Sequence, residues 1–150
     1  MIRVIIADDF ETMRQVMRHV LEQAPDIRVV AEAWTFDDTF EACGKHDCNA
    51  LVLDDYLPPY HCDTAIKRLR EADVTVPVLV TSMHVDADMA RRALDSGAAG
   101  FLLKTDLQDH FIPAVRALHA GKTYLSPRVA QLLGNSDIWM RHWLTRQTTR

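Results

Sequence analysis

Asp8 and Asp9 follow the apolar run Val-Ile-Ile-Ala, Asp54 follows Ala-Leu-Val-Leu, Ser82 follows Val-Leu-Val-Thr, and Lys104 follows Phe-Leu-Leu. Each polar residue stands where a short buried strand would run out into a loop. In a parallel sheet the carboxyl ends of neighbouring strands lie side by side, and ligands bind in the crevice outside them. Three carboxylates gathered there with one hydroxyl and one ammonium have the donor set for a divalent cation and a phosphoryl group. Asp54 is the candidate nucleophile, since a carboxylate can attack phosphorus to give an acyl phosphate. Against an anionic donor it is weak, because like charges repel. Asp8 and Asp9 would relieve that repulsion by holding Mg²⁺, a hard cation that prefers oxygen ligands and keeps several waters. The metal would also neutralise charge on the transferring oxygens. Lys104 would add a second positive contact, and Ser82 a hydrogen bond.

Taken singly, each residue has a plainer reading. An acidic pair after a strand is often an exposed turn, Asp54 beside Asp55 reads as a solvated loop, and a lone lysine most often sits on the surface. Joint placement at one sheet edge is the signal. Side chains alternate along an extended segment, so with Asp54 facing the site Asp55 is expected to face away. The seven histidines form no metal-ligand spacing, although His84 follows Ser82 closely enough to line the cleft. Cys43, Cys48 and Cys62 make no CxxC pair. Their odd number, with no signal peptide, points to a reduced, cytoplasmic protein.

The elements that must position these residues follow from hydrophobic periodicity. The chain has 150 residues, 48% apolar and 25% charged, as in a soluble globular domain. Its net charge of −4 does not advertise nucleic-acid binding. No apolar run approaches the roughly 20 residues of a membrane span. Strand-like runs at Arg3–Ala7, Ile27–Ala31, Ala50–Leu53, Val76–Val80 and Phe101–Leu103 alternate with amphipathic stripes. The first stripe is Met13, Val16, Met17, Val20 and Leu21. Thr35 with Asp38 resembles a capping box that opens a second helix, with Phe36, Phe40 and Cys43 on one face and Gly44 as its stop. Ala65, Ile66 and Leu69 mark a third helix, and Ala90, Ala93 and Leu94 a fourth. Leu107, Phe111, Ala114, Val115 and Leu118 mark a fifth, closed by Gly121. Five βα units with right-handed crossovers predict an α/β fold, a doubly wound five-stranded parallel sheet of flavodoxin-like (βα)5 type with strand order 2-1-3-4-5. Gly-Lys-Thr-Tyr-Leu-Ser before Pro127 reads as a turn, and Val129, Leu132 and Leu133 as one or two helical turns. Farther on, Trp139 and Trp143 are four apart and would share a helix face. That pair is expected to pack on the domain or across a dimer.

The motifs Val-Ile-Ile-Ala-Asp8-Asp9, Leu-Val-Leu-Asp54-Asp-Tyr-Leu-Pro58, Pro77-Val-Leu-Val-Thr-Ser82 and Gly97-Ala-Ala-Gly-Phe101-Leu-Leu-Lys104 together resemble the receiver domain of two-component response regulators. The resemblance covers residues 2–120. Its details, including Ala120-Gly-Lys-Thr-Tyr-Leu-Ser-Pro-Arg-Val-Ala, are similar to the LuxR/NarL-type subgroup. The resemblance implies that Asp54 accepts phosphate from a phosphohistidine on a sensor histidine kinase or phosphotransfer protein. It implies Mg²⁺ on Asp8, Asp9, Asp54 and the backbone carbonyl of Tyr56, with Ser82 and Lys104 assisting. Ser82 and Phe101 match the switch pair, in which the hydroxyl moves toward the phosphoryl group and the aromatic side chain turns inward. Three positions depart from the pattern. Thr105 follows Lys104 where many relatives have a proline after a cis bond, and cis costs about 3 kcal/mol before a non-proline residue. Cys62 replaces a glycine beyond Pro58, and Met83 is large enough to cover part of the phosphoryl site.

The expected organisation is a receiver at 1–121, followed by a linker helix and short tail at 122–150. The residues after Gly134 are too few for the subgroup's DNA-binding module, so direct nucleic-acid or membrane binding is not expected. A homodimer is an option, and transcription would be controlled through a missing or separate output module. The chain would assist its own phosphorylation and dephosphorylation without being a dedicated enzyme. Two other functions fit parts of the pattern. A Mg²⁺-dependent phosphohydrolase would use the same Asp nucleophile, but usually has a second Asp two residues later, where this chain has Tyr56. A phosphorylation-independent docking receiver would not need the complete acidic set.

Overall fold

The computed structural model describes residues 1–84 and 86–134. In chain order the elements are β1 (Ile2–Ala7), α1 (Glu11–Leu21), β2 (Ile27–Ala33), α2 (Phe36–Lys45) and β3 (Ala50–Asp54). A hairpin of β4 (Tyr56–Leu57) and β5 (Tyr60–His61) leads into α3 (Cys62–Glu71). Then come β6 (Val78–Ser82), α4 (Ala87–Asp95), β7 (Gly100–Leu103), a 3₁₀ turn (Lys104–Asp106), α5 (Leu107–His119), β8 (Tyr124–Leu125) and α6 (Pro127–Gly134). The main sheet is parallel, in the order β2-β1-β3-β6-β7-β8. Counted by βα unit this is 2-1-3-4-5, as the periodicity predicts, with β8 added at the edge.

Alternation divides the core in two. Ile5, Leu51, Leu53, Val78, Val80, Phe101 and Leu103 point to the face covered by α2, α3, α4 and α6. Val4, Ile6, Val52, Leu79 and Leu102 point to the face covered by α1 and α5. Strands buried on both faces read as unbroken apolar runs, which is why β3 and β6 were legible.

Several details differ from the sequence reading. β8 is a sixth strand where a turn was expected; its two residues are too few for a period to register. Tyr124 donates its N–H to the Ala99 carbonyl, Ser126 donates its N–H to Phe101, and the Ser126 hydroxyl accepts from the Leu103 N–H. α6 then lays Val129 and Leu133 into the core while Leu132 stays largely exposed. In α1 Val16 faces solvent, and in α2 the buried face is Phe36, Thr39 and Ala42, with Phe40 on the rim. Thr35 caps α2 by accepting the Asp38 N–H at 3.1 Å, and the helix runs one residue past Gly44. Among the described residues the cis peptide is Pro58–Pro59, so Lys104–Thr105 is trans. Trp139 and Trp143 lie outside the described residues.

Candidate phosphoryl and metal site

The acidic cluster sits where β1 and β3 run out. Asp8 immediately follows β1 and is fully buried, Asp9 is exposed, and Asp54 is the last residue of β3 and 6% exposed. One carboxylate oxygen from each of the three lies within 4.8 Å of the others. Lys104, just after β7, reaches in with its ammonium 2.9 Å from Asp8 Oδ2 and 3.1 Å from Asp54 Oδ1, to which it donates a hydrogen bond.

Backbone groups hold the carboxylates in place. Asp8 Oδ1 accepts the Phe10 N–H at 2.9 Å, and Asp54 Oδ1 accepts the Asp55 N–H at 2.9 Å. Asp8 Oδ2 is buried and has no directed hydrogen bond, its contact with Lys104 being one of charge. A buried carboxylate oxygen whose partner is a single ammonium, beside two further carboxylates, fits a hard divalent cation. Bound there, Mg²⁺ would cancel carboxylate repulsion and neutralise phosphoryl oxygen charge.

Electrostatics in the cluster follow from burial. Loss of water, then the charge of Asp8, push Asp54 up to about 7 against the pull of Lys104. For Lys104 burial works against the charged form, but the Asp8 and Asp54 carboxylates outweigh it and its pKa is raised. The ammonium therefore stays charged between them.

Ser82, the last residue of β6, is fully buried, but its hydroxyl does not face Asp54. It donates to Asp55 Oδ2 at 2.6 Å and accepts the His84 N–H at 3.0 Å. Asp55 does turn away from Asp54, as alternation demands; what it turns toward is Ser82. The register accounts for this. Asp54 is paired with Thr81 across β3 and β6, so the next residues, Asp55 and Ser82, share the opposite face. Phe101 is already fully buried, so the aromatic half of the expected switch pair is inward in this structure. Tyr56 opens the β4–β5 hairpin, its side chain exposed. His84 is exposed near the rim.

The sequence pattern does not mark Arg14 as a site residue, yet the fold brings it to the cluster. Its guanidinium donates to the Asp8 carbonyl at 2.7 Å and to Glu32 Oε1 at 3.1 Å, and stacks 5.2 Å from the Trp34 ring. It braces the β1 exit loop against α1 and β2. A buried arginine inside a Met-rich helical stripe, with an acid at the end of the neighbouring strand, was the available signal. Above the cluster, Phe10, Thr12, Met13, Met83 and Lys104 line an open apolar recess, in which Phe10 and Met83 are largely exposed.

A doubly wound parallel sheet with an acidic trio, a lysine bridging two of its carboxylates and a buried hydroxyl at the carboxyl edge is the architecture of a receiver-type signalling domain. The response regulator receiver domain family matches residues 4–116, and the chain belongs to it. The chain is 26% identical over 138 residues to the response regulator UvrY of Escherichia coli (strain K12), an alignment covering 92% of this chain and 63% of UvrY. It is 30% identical over 132 residues to the transcriptional regulatory protein DegU of Brevibacillus brevis, covering 88% and 56%. The chain thus spans about three fifths of the length of these curated relatives. A crystal structure of a LuxR-family two-component response regulator from Aurantimonas sp. SI85-9A1 superposes with TM-score 0.85 at 26% identity, over 91% of this chain and 97% of that one. The isolated REC domain of RcsB from Salmonella enterica serovar Typhimurium, in the presence of the phosphomimetic BeF₃⁻, superposes at 0.77 with 27% identity, over 87% and 97%. The relatives place this receiver in the LuxR/NarL-type subgroup. Among the described residues no helix is long and apolar enough to cross a membrane.

Proposed function

We propose that Asp54 accepts a phosphoryl group from the phosphohistidine of a sensor histidine kinase or phosphotransfer protein. Asp8, Asp9, Asp54 and the Tyr56 carbonyl would hold Mg²⁺. The carboxylate oxygen of Asp54 forms the new O–P bond as the donor's P–N bond breaks, and the imidazole nitrogen keeps the electron pair and takes a proton. Lys104, already between Asp8 and Asp54, meets the negative charge that arrives. The single observation that carries this reading is the convergence of three carboxylate oxygens within 4.8 Å, with the Lys104 ammonium bridging those of Asp8 and Asp54. The apolar recess at Phe10 and Met83 gives the donor a surface to approach beside Lys104.

The phosphorylated unit expected over residues 1–121 would carry β8 and α6 as part of its sheet and core, with the rest of 122–150 as a tail, in a cytoplasmic regulator whose output would control transcription. A phosphohydrolase would need a proton donor near the leaving group, and Tyr56 stands exposed where that enzyme class places its second Asp. The proposal is tested by incubation with a small phosphodonor and Mg²⁺, reductive trapping of the acyl phosphate, and mass spectrometry. Label is expected on Asp54 and absent in Asp54→Ala. Label on Asp55, or none, would sink it.

A further inference from the structure

We propose that Asp55 is a positioning residue that holds the Ser82 hydroxyl off the phosphoryl position and so sets the threshold of the switch. The proposal rests on the reading of Asp54 as the phosphoryl acceptor. A serine hydroxyl has one proton to give. Asp55 Oδ2 at 2.6 Å is the nearer of its two acceptors, the His84 carbonyl oxygen lying at 3.3 Å, while the hydroxyl oxygen also accepts the His84 N–H at 3.0 Å. Ser82 is fully buried, so water cannot take over either role. To donate to a phosphoryl oxygen on Asp54, Ser82 must give up Asp55. Hydrogen bonds to an ionised acceptor are among the stronger ones, so the exchange is one charged acceptor against another.

Two further observations sharpen the assignment. Phe101 is fully buried in the same structure in which the Ser82 hydroxyl is bonded to Asp55. Of the expected switch pair, the hydroxyl is the half held away from Asp54. The second observation concerns the backbone of Asp55. Its N–H is bonded to Thr81 O and Asp54 Oδ1, and its carbonyl accepts the Cys62 N–H at 2.8 Å. The side chain is therefore aimed from a fixed backbone, and its replacement leaves those three bonds available.

The experiment measures binding of beryllofluoride, a stable mimic of a phosphoryl group on a carboxylate, to the full chain with Mg²⁺ by ¹⁹F NMR. Asp55→Ala should bind on the order of tenfold more tightly than wild type. Asp55→Asn, with a neutral acceptor of the same shape, should fall between. The same two variants made in a Ser82→Ala background should show little of the gain, because the coupling runs through the hydroxyl. Equal or weaker binding by Asp55→Ala and Asp55→Asn would overturn the proposal. So would an undiminished gain in the Ser82→Ala background, which would mean that Asp55 acts only by repelling the anion. Binding by wild type keeps the acceptor reading intact whatever Asp55 does. Failure of wild type and both variants to bind would remove the acceptor reading and this proposal with it.

Discussion

A buried aspartate held at about 7 costs the fold stability whenever it is ionised. In the unfolded chain an aspartate titrates near 3.9. Between those values the folded protein keeps a proton that the unfolded chain has lost. Stability from Asp54 is therefore fully present below about pH 4 and is lost as pH rises through about 7, with a slope of up to about 1.4 kcal/mol per pH unit. Asp54→Asn removes the charge, so it should stabilise the metal-free protein. Urea unfolding should show the variant ahead of wild type by a wider margin at pH 8 than at pH 5. Addition of Mg²⁺ should close the margin from the wild-type side only. Asp8, Asp9, Asp54 and Lys104 were legible in the sequence because each terminates an apolar run, and strand ends in a parallel sheet share one edge. The partner of Ser82 was not. Alternation says which way Asp55 turns, but only the β3–β6 register says what it meets there.

At the scale of elements, β8 and α6 close the side of the sheet beyond β7. Gly100 permits this: a Cβ there would lie 2.5 Å from the Tyr124 carbonyl oxygen and 2.9 Å from Leu79 Cδ1. Gly100→Ala should force β8 outward and cost about 1–3 kcal/mol, the range for overpacking a close-packed interior. Hydrogen exchange would locate the change at the Tyr124, Ser126 and Leu103 amides, which make the β7–β8 bonds. Leu133 is fully buried in the core shared with α4 and β7, so Leu133→Ala should cost about 2–5 kcal/mol by thermal or urea melting. A near-neutral result would mean that α6 is only loosely seated. The apolar periodicity marked α6, but not its docking. That depends on β8, whose two residues carry no pattern, and on Gly100, whose need appears only when two backbones are seen to approach.

For the molecule as a whole, cation binding and folding are linked. A ligand that binds only the native state stabilises it by about 2.7 kcal/mol at a concentration 100 times its dissociation constant. Mg²⁺ should accordingly raise the melting temperature of the wild type, and Asp9→Asn should lose most of that rise while melting normally without the metal. Asp9 suits this test because it is exposed and offers an oxygen to the acidic cluster without supporting the core. A rise of the same size in the variant would remove Asp9 from the ligand set. The doubly wound topology, its strand order and the position of the cleft were readable from alternating periodicities, since crossover handedness and burial leave few arrangements. The two-layer core then follows from strand parity, with the odd and even residues of β3, β6 and β7 filling opposite sides.

The pairing of β7 with β8 also bears on synthesis and fragment choice. A chain stopped at Gly121 would leave the Ala99 and Phe101 carbonyls and the Leu103 N–H facing outward along an apolar strand. Such an open edge is a template for any other extended segment. Shortened versions of this protein should therefore self-associate through β7 and scatter light at concentrations where the 150-residue chain stays clear. On the ribosome the same vulnerable interval would last until Ser126 has emerged.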